Sequence, residues 1–156
     1  MMRRILGPKL DAAAQCEAVL RSLPAWFGIG EALRVYARDS AVLRTLAVAT
    51  GGEGQVAGFV SLAQQFPAAW EVRGLAVHGD VRGHGHGRAL LAHAERWLVA
   101  KGVRWRQVKT IAAAHPDAGY AQTQASYERL GFDSIEVHPT LWSPANPCLQ
   151  MIKALR

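Results

Sequence analysis

Two cysteines in 156 residues, Cys16 and Cys148, are too few and too far apart for a disulfide framework. They predict reduced thiols in a cytosolic protein. No apolar run reaches the roughly 20 residues of a membrane helix, and the N-terminal MMRRILGPKLDAAAQ interrupts its short apolar run at Pro8, Lys9 and Asp11. Neither a signal peptide nor a membrane contact is expected. Acidic residues are also scarce, 12 against 18 basic ones, for a net charge of +6. That balance suits an anionic cofactor, and equally solubility or nucleic acid. No Gly-Lys-Ser/Thr loop end is present, which speaks against a P-loop. Internal repeats, low-complexity tracts and linkers are missing too, so residues 1–156 are read as one domain.

What is present is an ordinary globular composition, 50% apolar and 19% charged, organised around Trp70 to Lys101. Trp70 to His78 reads as a strand buried on both faces. Gly79 to Gly87 reads as a turn with glycines at positions 79, 83, 85 and 87. A helix follows, with Leu90, Leu91, Ala94, Trp97 and Leu98 on one apolar face and a cap at Lys101 and Gly102. A glycine-rich turn opening a helix leaves backbone N–H groups aimed at one point, with the positive end of the helix dipole behind them. That is an anion site, most naturally for phosphate.

The rest of the chain supplies a mixed α/β pattern. Arg3 to Leu6 is a short strand, Leu10 to Leu23 and Glu31 to Arg38 are helices, and Ala25 to Gly30 places Trp26 and Phe27 in a loop that walls a pocket or fills the core. Arg44 to Thr50 and Gln55 to Gln64 form a hairpin across Gly51 to Gly54. After the central helix come a strand at Arg104 to Ala112, a helix at Tyr120 to Leu130, and two closing strands, Ser134 to His138 and Cys148 to Ala154. The strand–helix–strand order makes the central strand and its successor parallel neighbours.

The order Arg82, Gly83, His84, Gly85, His86, Gly87 after a strand ending LAV resembles the acetyl-CoA signature of the GCN5-related N-acetyltransferases (GNAT). In that signature, Arg or Gln is followed by two residues, Gly, one residue, and Gly or Ala. YERLGF at Tyr127 to Phe132 looks like that family's tyrosine-containing helix end, although the position seven residues before Tyr127, where many members carry Asn, is Tyr120. QVKT at Gln107 to Thr110 and the closing NPCLQMIK look like a bacterial subgroup. The resemblance spans the chain and implies the acyl-CoA N-acyltransferase fold: a mostly antiparallel mixed sheet with a splayed parallel strand pair, flanked by helices. It implies acetyl-CoA as cosubstrate, a small-molecule or protein amine as acceptor, and a homodimer as one assembly. In this setting the main chain of Leu75, Ala76 and Val77 would hold the pantetheine arm. The amides from Gly83 through His84, Gly85, His86 and Gly87 to Arg88 would hold the pyrophosphate, with charge from Arg82 and Arg88.

Acetyl transfer to an amine needs a deprotonated acceptor, an oriented carbonyl and a protonated or stabilised leaving thiolate. The resemblance puts Tyr127 in the role of acid for the thiolate. It puts Glu71, on the central strand five residues before Ala76, in the role of base. A carboxylate on a buried strand holds its proton more tightly than one in water, which suits a base near neutrality. An ion pair with Arg73 is the structural alternative for Glu71, and a packed core phenol is that for Tyr127. His78, His115 or a water relay could replace Glu71. The spacing of His84, His86 and His93 matches no zinc arrangement, so no metal is expected; His84 and His86 read as variable loop side chains. The Trp residues at 70, 97, 105 and 142 read as core. Two other functions remain: an acyl-CoA-binding sensor without transfer activity, and a basic nucleic-acid module, for which no motif exists.

Overall fold

A computed structural model of the chain describes residues 3–9, 19, 22, 44–50, 55–78, 84–112 and 118–155. Its elements are β1 (Arg3–Lys9), β2 (Arg44–Thr50), β3 (Gln55–Phe66), β4 (Ala69–Val77), α1 (His86–Ala100), β5 (Trp105–Ile111), α2 (Ala118–Arg129), β6 (Asp133–Ser143) and β7 (Asn146–Ala154). The strands form one seven-stranded mixed sheet in the order β1-β2-β3-β4-β5-β7-β6, with one parallel pair. The helices expected over Leu10 to Leu23 and Glu31 to Arg38, and the turns at Gly51 to Gly54 and Gly79 to Gly83, lie outside the described residues.

The chain divides into two compact units. The first comprises Met1–Ala63 and Val72–Ala100. In it β2 pairs antiparallel with both β1 and β3, and its centre, Leu46 to Ala49, is buried on both faces. Thr45 and Ser61 face each other across β2 and β3 and satisfy their hydroxyls mutually at 3.0 Å. β1 passes through Gly7 and Pro8 to Lys9 with a register shift, beyond the end expected at Leu6. A terminal strand tolerates the missing N–H of a proline. α1 lays Leu90, Leu91, Ala94 and Leu98 into the core. Gly58 on β3 makes this packing possible: a Cβ there would stand 2.9 Å from the Ala76 carbonyl oxygen and 3.4 Å from Leu90 Cδ1.

The second unit comprises Gln64–Glu71 and Lys101–Arg156. A turn at Pro67 and Ala68 joins β3 to β4, and the Ala68 carbonyl accepts from the amides of Arg104 and Trp105, both at 2.9 Å. β5 and β7 run antiparallel from Trp105 opposite Ala154 to Ile111 opposite Cys148. Side chains alternate along β5, so Arg106 and Val108 face one way and Gln107 and Lys109 the other. The first face is core: the Arg106 guanidinium, 1% exposed, lies 5.2 Å from the Phe132 ring centre. Phe132 in turn meets the Tyr127 ring edge-on at 5.4 Å.

Two expectations are corrected here. β6 runs to Ser143 rather than His138 and turns through Pro144 and Ala145 into β7, which already includes Asn146 and Pro147. The Asn146 side-chain amide donates to Ser143 Oγ at 3.0 Å and closes that turn. Trp105 and Trp142, expected in the core, are 40% and 48% exposed, whereas Trp70 is buried. Trp142 sits at the end of an edge strand whose other large apolar side chains are also exposed, with no second layer over them among the described residues. Gly58→Ala should lower the urea midpoint by the equivalent of about 1–3 kcal/mol, because the obstacle is backbone that cannot turn aside. An unchanged midpoint would show that β4 yields.

Candidate functional site

In the first unit, β4 delivers Leu75, Ala76 and Val77, and eight residues separate its end from the start of α1. Ala76 is buried, and Leu75 and Val77 are half-buried. Gly85 adopts φ 76°, a conformation that a side chain at this position would strain, and its carbonyl accepts from Ala89 N at 3.0 Å to start the helix. The amides of His86, Gly87 and Arg88 are therefore first-turn N–H groups without an intrahelical acceptor. The first turn carries no acidic side chain to compete for them. This is an anion-ready helix start; at Gly87 the protein itself leaves room for a Cβ, whose nearest neighbour would be Val77 Cγ2 at 3.7 Å.

The turn expected over Gly79 to Gly87 is thus shorter than the sequence suggested, since α1 already includes His86 and Gly87. His86, expected as a variable loop side chain, is buried. It lies four residues before Leu90 and eight before Ala94, on the same stripe, a spacing that was visible in the sequence. His84 is exposed, with its ring centre 6.2 Å from that of His86. Arg88 is exposed; Arg82 and Gly83 lie outside the described residues, as does His115.

The second unit holds both nominated catalytic side chains. Glu71 is 3% exposed. Its Oε2 pairs with Lys109 Nζ at 2.8 Å, and its Oε1 accepts from Gln65 Nε2 at 3.3 Å. The short ion pair therefore runs to the neighbouring strand, where the sequence had suggested Arg73. A buried charge requires such a partner. Tyr127 is buried on α2 with its ring against Phe132, on the Arg106 face of β5, whereas Glu71 meets Lys109 on the other face.

Sequence reasoning passed over the neighbours of Glu71. Gln107, two residues from Lys109 and so on its face, accepts from Gln150 Nε2 at 2.8 Å, and Gln150 Oε1 meets His138 Nε2 at 3.0 Å. The signal was polar residues at alternate positions of otherwise apolar strands, in QVKT and in NPCLQMIK. Cys148 is fully buried beside this group; burial pushes its thiol pKa up, nearby Lys109 opposes the rise and Glu71 adds to it. A thiol held protonated is a poor nucleophile. Among the described residues no group of His, Cys, Asp and Glu could hold a metal, and no helix is long and apolar enough to cross a membrane.

The family profile of the acetyltransferase (GNAT) domain matches residues 43–134, more than half of the chain. The chain belongs to the GNAT acetyltransferase family. GNAT structures share the fold along the whole length. A candidate acetyltransferase of the family from Desulfovibrio desulfuricans superposes with a TM-score of 0.82 at 17% identity, covering 99% of this chain and 100% of that one. The ribosomal-protein-S18-alanine N-acetyltransferase of Escherichia coli gives 0.77 at 18%, covering 99% and 94%. An aminoglycoside 6'-N-acetyltransferase complexed with coenzyme A gives 0.71 at 17%, covering 99% and 97%. At these identities the GNAT structures establish the fold. No curated protein sequence matches this chain.

The Glu71–Lys109 pair generates a stability prediction. Lys109→Met should cost about 3 kcal/mol, the low end for stranding a buried charge because the ammonium is partly solvated, and adding Glu71→Gln should recover most of it. Urea denaturation of the two single variants and the double variant measures this. A double variant no more stable than Lys109→Met would mean that the pair is not coupled.

Proposed function

We propose that this chain, acting as one domain, is an acetyl-CoA-dependent N-acetyltransferase that moves the acetyl group directly to a primary amine. The observation that carries the reading is the start of α1: first-turn amides without acidic neighbours, set up by Gly85 in a left-handed conformation just after β4. Membership of the family and a structural neighbour bound to coenzyme A support the same ligand. In this reading the amides from Gly83 to Arg88 take the pyrophosphate, Arg82 and Arg88 add charge, and the main chain of Leu75, Ala76 and Val77 takes the pantetheine arm.

The protein's own part in the chemistry is orientation and proton traffic. A primary amine of ordinary pKa, about 10.4, arrives protonated. Glu71, oriented by its ion pair with Lys109, accepts that proton directly or through water. The nitrogen then bonds to the thioester carbonyl carbon and the carbon–sulfur bond breaks; Tyr127, a phenol still protonated at neutral pH, protonates the departing thiolate, and the second proton shed by the acylated nitrogen passes through water to the phenolate so formed. The protonated state of Cys148 supports transfer without a covalent enzyme intermediate. Aminoglycosides and a ribosomal protein's alanine are the acceptors of structural neighbours, which supports an amine acceptor of some kind.

Calorimetry should detect acetyl-CoA binding to the wild-type chain and lose it in a folded Gly85→Val variant; retained affinity would remove the loop from the site. Tyr127→Phe should lower kcat tenfold or more with little change in acetyl-CoA Kd. An unchanged kcat would leave Tyr127 a packing residue. Binding without thiol release across an amine panel would favour the sensor reading.

A further inference from the structure

Gln65, Gln107, Gln150 and His138 take no part in the reaction as described, yet they stand with Glu71 and Lys109 on one face of the second unit. Contacts run from Gln65 to Glu71 to Lys109 and from Gln107 to Gln150 to His138. The two groups are joined by the alternation that puts Gln107 and Lys109 on one side of β5, and Lys109 lies directly opposite Gln150 in the ladder. The other face of β5 is closed by Arg106, Phe132 and the apolar core. A polar row of this extent is not explained by packing.

Two features say what it would bind. Gln65 gives its N–H to Glu71, while its Oε1 is fully buried and meets no hydrogen-bond donor among the described residues. A buried acceptor left unmet is destabilising and is relieved by an N–H donor. Beside the carboxylate proposed as base, that donor is the amine. Next, Gln107 spends its oxygen on Gln150, whose own oxygen faces His138, so the chain leaves the Gln107 NH2 as a donor. Two residues along a strand place it about 6.6 Å from the Lys109 position, within reach of a carbonyl or carboxylate oxygen carried a few bonds from the amine.

We propose that this face is the acceptor site and that the acceptor is an amine with a carbonyl or carboxylate close by, such as an amino-acid amide or a peptide N-terminus, rather than a polyamine or aminoglycoside. Gln65 Oε1 receives the amine N–H, and Gln107 donates to the neighbouring oxygen and sets specificity. The inference rests on the transfer reading for its chemistry, but the binding can be tested alone.

The test uses the full chain labelled with 15N, titrated with L-alaninamide, L-alanyl-L-alanine, spermidine and kanamycin while the glutamine side-chain amides are followed. The first two probes should shift Gln65 and Gln107, and the polycations should leave both unmoved. In thiol-release assays the first two should have KM values at least tenfold lower than the polycations. Gln107→Leu should raise KM for the dipeptide tenfold or more while acetyl-CoA Kd in calorimetry holds. Preference for spermidine or kanamycin, or no shift of either amide with any probe, would overturn the proposal. Amide shifts without turnover of any amine would leave this binding site standing and sink the transfer reading instead.

Discussion

A carboxylate that is 3% exposed cannot remain in a fold without a partner, and the partner of Glu71 fixes much of what surrounds it. Lys109 Nζ at 2.8 Å ties the start of β4 to the middle of β5. With Lys109 pointing to that face, the pleat of β5 sends Gln107 the same way and Arg106 and Val108 to the core. Arg106 then needs an environment of its own, which the Phe132 ring supplies at 5.2 Å, and Phe132 at the end of α2 brings Tyr127 against it. The alternation of a single strand thus separates a polar face from an apolar one and places the candidate base and the candidate acid on different sides.

The two units carry different kinds of chemistry. The first uses backbone: a left-handed Gly85, the amides of a helix start, and a glycine at position 58 whose missing Cβ lets β3, β4 and α1 pack together. Such a site is indifferent to side-chain identity except where a side chain would intrude. The second uses side chains whose effect depends on partners: an ion pair, an amide chain and a phenol buried against a ring. Backbone sites of the first kind recur as glycine spacings, and partner-dependent sites of the second kind do not.

That contrast explains what could be read from the sequence. The glycine spacing, the apolar stripe of α1 and the strand order were legible because each follows from a local rule, and the two described helices end at the expected Gly102 and Gly131, both with positive φ. The start of α1 was placed too late because four glycines in nine residues masked the first helical turn, although His86 keeps the four-residue step to Leu90. The length of β6 was missed because Pro139 and Pro144 read as loop, whereas an edge strand absorbs a proline without losing a ladder bond. Trp105 and Trp142 were assigned to the core from their chemistry alone, which carries no information about which face has a second layer. Lys109 as the partner of Glu71 was invisible, since the two are 38 positions apart and only the sheet order makes them neighbours.

The central claim is that the carboxylate at the start of β4 removes a proton from the acceptor amine. It is tested most directly by the pH dependence of kcat/KM in the wild-type chain and in Glu71→Gln. The account predicts an acidic limb, as protonation of the carboxylate removes the base, that disappears in Glu71→Gln together with most of the activity. An acidic limb that persists in Glu71→Gln would contradict it and transfer the role to another group.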